Sequence, residues 1–142
     1  MGEIKEAMEL EYEIVPNDFD SAGEASSNLK RILKQLGINS KIVRKIAVAS
    51  YEAEINVIIH SLGGNMNVII SAEKIEVKFK DNGPGIDDID LAMTEGFSTA
   101  TDDVREMGFG AGMGLPNIKR CTDDLKIFSS KEGTILEMIF NM

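Results

Sequence analysis

Three stretches of the chain carry residue types that could do chemistry. The first, Tyr51 to His60, reads YEAEINVIIH and sets Glu52 and Asn56 four residues apart, on one face of a helix. Ile55, Ile58 and Ile59 flank them and predict that much of this helix is buried. A carboxylate and a carboxamide among isoleucines cost free energy unless they find polar partners. A divalent cation and a nucleophilic hydroxyl or water would serve, because Asn offers a neutral oxygen to Mg²⁺ and Glu can accept a proton. For this helix taken alone, a solvated polar stripe with ordinary caps is the plainer account. Glu54, two residues on from Glu52, points to another face and reads as a surface or partner-facing acid.

The second stretch, Asp81 to Ile86, reads DNGPGI directly after a strand pattern. Asn-Gly favours positive φ, and Gly85 after Pro84 suits a type II turn. Asp81 at the strand end could accept a hydrogen bond from an exocyclic amine, or the stretch could be a plain turn. The third, Met107 to Pro116, alternates glycines at 108, 110, 112 and 114 and then begins a helix. Glycines let backbone N–H groups approach an anion, and a helix N-terminus adds partial positive charge. The spacing is neither that of a P-loop nor that of a Rossmann fingerprint. A flexible linker is the duller alternative, but it would not need strict alternation running into a Pro-started helix.

Around these stretches the patterning predicts the elements that must position them. Met8 to Val15 alternates as a half-buried strand. Ala22 to Leu36 has helical spacing and ends at Gly37, and a second helix runs from a cap at Asn39 or Ser40 to the Gly63-Gly64 break. Asn65 to Ser71 and Ile75 to Lys80 form a hairpin, and a short helix is expected over Asp88 to Met93. Gly96 to Gly114 reads as a long polar loop of the kind that is usually functional or disordered. Leu115 to Cys121 starts a helix with Pro116 in its first turn, and Leu125 to Ser129 pairs with Thr134 to Phe140 as a closing hairpin. Paired strands with helices on one face mean an α+β fold, expected here as one domain over 1–142.

The 142 residues are 43% hydrophobic and 27% charged, which excludes a disordered chain, and the net charge of −9 disfavours nucleic acid and anionic membrane surfaces as partners. No apolar run approaches a membrane span, and the acidic N-terminus lacks a signal-peptide layout. Cys121 is the single cysteine, which allows no internal disulfide and fits a reducing compartment, so a cytoplasmic location is expected.

In order and spacing the three stretches together resemble the boxes of the GHKL nucleotide-binding superfamily, which includes histidine-kinase catalytic domains, type II topoisomerases, chaperones and mismatch-repair ATPases. Glu52 to His60 looks like the N box, Asp81 to Ile86 the G1 box and Gly108 to Leu115 the G2 box, and Gly133-Thr134 matches the last nucleotide-side turn. The resemblance implies a two-layer α/β sandwich of the Bergerat type: a mixed, mostly antiparallel sheet, helices on one face and a mobile lid over ATP. Ile59 stands where sensor histidine kinases usually carry Lys, and Ile59-His60 where topoisomerases carry an acidic pair. The Glu-x-x-x-Asn-x-x-x-His form, the GFSTA segment at Gly96 to Ala100 and the Leu115 to Arg120 run look most like the anti-sigma-factor serine/threonine kinases and related switch kinases.

Carried over by position, the resemblance implies that Glu52 acts as general base and Asn56 holds Mg²⁺. Asp81 would accept the adenine amino group, with Thr134 supporting it through a water. Gly83 and Gly85 would shape the base pocket, with Ile86 beside them. Gly110, Gly112 and Gly114 would wrap the phosphates, joined by Gly108, Ala111, Met113 and Leu115. From the lid, Thr99 would meet the nucleotide and Arg105 the terminal phosphate. The implied cofactors are ATP and Mg²⁺. The implied substrate is a STAS-domain anti-anti-sigma protein, with a sigma factor or a downstream phosphatase as further partner and a homodimer as a possible state. An ATP-dependent binding module without transfer and an orphan histidine-kinase catalytic domain are the rival readings.

Overall fold

Period-two alternation builds the sheet. The computed structural model describes residues 7–16, 18–60, 63–83 and 114–142. Among them are β1 (Met8–Ile14), α1 (Glu24–Gln35), α2 (Ser40–His60), β2 (Gly64–Ile70), β3 (Lys74–Asp81), α3 (Gly114–Cys121), β4 (Asp124–Ser130) and β5 (Gly133–Asn141). The strands lie in the order β1-β2-β3-β5-β4, and all four ladders are antiparallel. Each expected element within the described residues is present, with ends shifted by one or two positions. The helix expected over Asp88 to Met93 lies outside them.

One face of the sheet carries the core. Met66, Val68 and Ile70 on β2, Ile75, Val77 and Phe79 on β3, and Leu136, Met138 and Phe140 on β5 are buried there. The intervening residues, such as Asn67, Lys78 and Glu137, point to the open face, where Lys78 pairs with Glu137 at 3.8 Å. The helices cover the apolar face. Leu29 and Leu33 of α1, Val43, Ile46 and Ala53 of α2 and Ile118 of α3 complete the cluster. α2 lies between the other two helices, packing against α1 on one flank and α3 on the other.

The expectation for Glu54 is corrected here. Glu54 is 3% exposed. Its carboxylate accepts the N–H groups of Gly23 (3.0 Å), Ala25 (3.4 Å) and Ser26 (3.0 Å) and the Ser26 hydroxyl (2.7 Å). The reason is the start of α1. Its N-cap residue, Gly23, has φ +90° and no side chain, so the first turn has no local cap. A helix start leaves N–H groups without intrahelical acceptors and carries partial positive charge. Glu54 supplies that acceptor from α2. Tyr51, one turn earlier, closes over the same point: a Cβ on Gly23 would come within 2.9 Å of its ring.

Removing Glu54 strands three amides and a hydroxyl in a dry site. Glu54→Ala is expected to cost about 2–4 kcal/mol, beyond the ~1 kcal/mol of an ordinary cap. Urea unfolding measures it. Glu54→Gln should stay destabilised, because it turns a donor toward donors.

Candidate functional site

On the flank of α2 opposite the Glu54 contact, Glu52 and Asn56 share a face as their spacing requires, and both are half-buried. α3 packs against α2 through buried Leu115 and Ile118, and between those two sits Asn117. The Asn117 side chain hydrogen-bonds the Glu52 carboxylate. Arg120 Nη2 in turn donates to Asn117 Oδ1 at 2.8 Å. That bond occupies the amide oxygen of Asn117 and leaves its NH₂ to face the carboxylate. Burial pushes the Glu52 pKa above the ordinary carboxylate value, and the Asn117 hydrogen bond partly offsets the rise. A carboxylate raised toward neutral pH is a better proton acceptor than an exposed one. Sequence reasoning missed Asn117. The available signal was a lone carboxamide between two apolar residues of a helix that follows the glycine run.

Cys121, also half-buried, has its thiol pushed up by burial; Lys45 and Arg120 lower it and Glu52 raises it. It therefore stays protonated near neutral pH and is a poor nucleophile.

The second part of the site lies at the strand ends. Asp81 closes β3, and its Oδ1 accepts the N–H groups of Gly83 (3.0 Å) and Thr134 (2.9 Å). Asp81 and Thr134 are thus linked directly through the Thr134 backbone, while the Thr134 hydroxyl lies 3.3 Å from Ser129 Oγ. Both bonds fall on one oxygen of the carboxylate, Oδ1. Gly133 makes the approach possible: it has φ +154°, and a Cβ there would run into the Asp81 carbonyl oxygen. Gly83, at φ +101°, lies against the Glu132 carbonyl.

The described residues fit a nucleotide. The carboxylate is fixed by two backbone donors, and the turn beside it has no room for a side chain. Among the described residues no group of three or more His, Cys, Asp or Glu is placed to hold a metal. Gly114 and Leu115 open α3, and Leu115 packs into the core. Gly85, Ile86, Thr99, Arg105, Gly108, Gly110, Ala111, Gly112 and Met113 lie outside the described residues.

An open antiparallel sheet, three helices on one face and this pair of polar groups define the class of histidine-kinase-like ATP-binding folds. A family model described as "Histidine kinase-like ATPase domain" matches residues 15–140, and the chain belongs to that family. It is 30% identical over 115 residues to the serine/threonine-protein kinase RsbT of Bacillus subtilis (strain 168), covering 78% of this chain and 80% of RsbT. It is 33% identical over 110 residues to the anti-sigma F factor of Thermoanaerobacter sp. (strain X514), covering 73% of each. Among solved structures, the RsbU and RsbW domains of Rv1364c from Mycobacterium tuberculosis superpose with a TM-score of 0.64 at 14% identity, over 94% of this chain and 31% of that one. The SiaB-SiaC complex from Pseudomonas aeruginosa gives 0.56 at 11% identity, over 94% and 89%. These two show the fold. Membership of the family implies ATP as the ligand. Among the described residues no helix is long and apolar enough to cross a membrane.

The Asn117–Glu52 contact has a measurable consequence. Asn117→Ala removes the interaction that holds the Glu52 pKa down, so that pKa should rise further, as read by carbon-detected NMR titration. The sign for stability follows. Because the folded-state pKa is raised, ionised Glu52 disfavours the fold above that pKa, and the penalty is relieved as pH falls through it.

Proposed function

We propose that this protein is an ATP-dependent protein serine/threonine kinase of the anti-sigma-factor or switch-kinase type. Its substrate is a STAS-domain antagonist protein, and its output is a change of binding partner that controls transcription. The observation that carries the reading is Glu52: a half-buried carboxylate with a raised pKa, held by Asn117, on the same helix face as Asn56. A module that only binds nucleotide has no need of a positioned base. The kinase name of the Bacillus relative and the anti-sigma F name of the Thermoanaerobacter relative support the same direction.

In this reading Glu52 takes the proton from the substrate serine hydroxyl as its oxygen attacks the terminal phosphorus, leaving phosphoserine and ADP. Asn56 offers its amide oxygen to the metal, and Mg²⁺, when bound, supplies positive charge against the triphosphate. Asp81 Oδ2 accepts the adenine amino group while Oδ1 stays fastened to the Gly83 and Thr134 amides. Thr99 and Arg105, together with the glycines from Gly108 to Gly114, complete the phosphate side of the proposal. Phosphoryl transfer depends on such positioning and charge stabilisation more than on covalent chemistry. A protein of net charge −9 does not attract the polyanion at long range, so local amides and the metal must do so.

Mixing the protein with Mg-ATP and a STAS-domain partner should add phosphate to the partner, as read by mass spectrometry. No gain while ATP binding is demonstrable overturns the kinase reading. Glu52→Ala should keep nucleotide affinity and lose transfer by about 10²–10⁴-fold, the usual worth of a general base. Wild-type rate in that variant would remove Glu52 from the role. The transfer rate should fall as pH drops through the raised Glu52 pKa, at a pH above that of an ordinary glutamate, and Asn117→Ala should move this acid limb higher still. Asp81→Asn should weaken ATP binding in calorimetric titration.

A further inference from the structure

Charge is unevenly spread along the chain. Residues 30–45 hold Lys30, Arg31, Lys34, Lys41, Arg44 and Lys45 and no acid, so the net −9 divides into +6 over this stretch and −15 over the rest. All six cations are exposed. The stretch is the end of α1, the turn and the start of α2, so its charges gather at one end of the helical layer. Lys45 and Arg120 both act on Cys121, which brings the basic end of α3, with exposed Lys119 and Arg120, alongside. The two ion pairs among the described residues, Lys74–Glu76 and Lys78–Glu137, lie on β3 and β5, and neither involves the basic stretch. Solvated helices usually intersperse the two signs.

The patch continues toward the site. Lys41, Arg44, Lys45, Val48, Tyr51 and Glu52 follow one another at helical spacing along the outward side of α2. Val48 is 41% exposed and Tyr51 40%. Lys45 and Glu52 stand seven residues apart, about 10 Å along the axis at 1.5 Å per residue. The track therefore runs from cations, over two exposed apolar side chains, to the half-buried carboxylate.

We propose that this outward face of α2, with the basic end of α3 beside it, is the docking surface for an acidic face of a protein partner. Its basic end orients that partner so that an acceptor hydroxyl reaches Glu52. The last clause rests on the kinase reading; the docking surface does not. A folded protein fits better than a nucleic acid or a lipid surface. It can present acid to the patch alone, as a flexible acidic polypeptide can, whereas a rigid duplex or a lipid plane would also meet the −15 carried by the remainder. Exposed Tyr51 and Arg44 are also of the residue types enriched at protein interfaces.

The test uses the full chain without nucleotide, at low salt. Binding of fluorescent poly-L-glutamate, a DNA duplex and phosphatidylglycerol vesicles is compared for the wild type, K41E/R44E/K45E and K74E/K78E/K126E. The two variants carry the same change of net charge on different faces; melting curves check folding and calorimetry checks ATP binding. Expected is poly-glutamate binding that weakens with salt, falls about tenfold or more in K41E/R44E/K45E and stays near wild type in K74E/K78E/K126E. No binding of poly-glutamate, or equal loss in both variants, overturns the docking surface. Stronger binding of DNA or vesicles through the same patch overturns the protein partner. Absent ATP binding in the wild type counts against the kinase reading and leaves this result standing.

Discussion

A buried carboxylate fixes the helical layer. Glu54 sits on the middle helix, α2, and all the donors it satisfies belong to the start of α1. Such a contact tolerates little rotation, because a buried polar group depends on every one of its partners. With the Glu54 flank of α2 locked onto α1, the opposite flank must face α3, and that flank carries Glu52 and Asn56. Two glutamates two residues apart thus do opposite work. One is consumed in architecture, and the other is left half-solvated beside a single carboxamide. The helix geometry that separates them, about 200° for two residues, makes the division possible.

A second constraint acts at the sheet end. Asp81 on β3 and Thr134 on β5 sit across neighbouring strands, so the antiparallel pairing delivers carboxylate and amide to one point. A glycine before Thr134 is the condition for that proximity, since any side chain there would strike β3. The site therefore draws on both layers: rigid strand ends hold one pole, and packed helices hold the other.

The strands and helices were legible because burial on one face imposes a period, and the periods here are clean. Met66/Val68/Ile70 and Ile75/Val77/Phe79 read directly as inner-face ladders. Glu52, Asn56 and Asp81 were legible as candidates because polar groups in apolar settings need a reason. Glu54 was misread for an equally physical reason. Its partners are 28 to 31 residues away, and local spacing shows only which flank a side chain takes, not what waits there. Gly23 offered no warning, since a capless helix start looks like a turn glycine. Asn117 was hidden because its importance comes from packing between α2 and α3, which no pattern along one helix encodes.

The strand order also bears on how the chain assembles. β2–β3 and β4–β5 are hairpins closed by a few residues, but β1 meets β2 only across both α1 and α2, with Met8 opposite Ile70. Closing so long a loop costs chain entropy before any ladder bond offsets it. β1 also lies at the sheet margin and turns Glu9, Glu11 and Glu13 outward together, where like charges repel. The amino-terminal strand is therefore the last to zip and the first to peel. Its amides should be the earliest in the sheet to exchange with deuterium, well before those of the central β3.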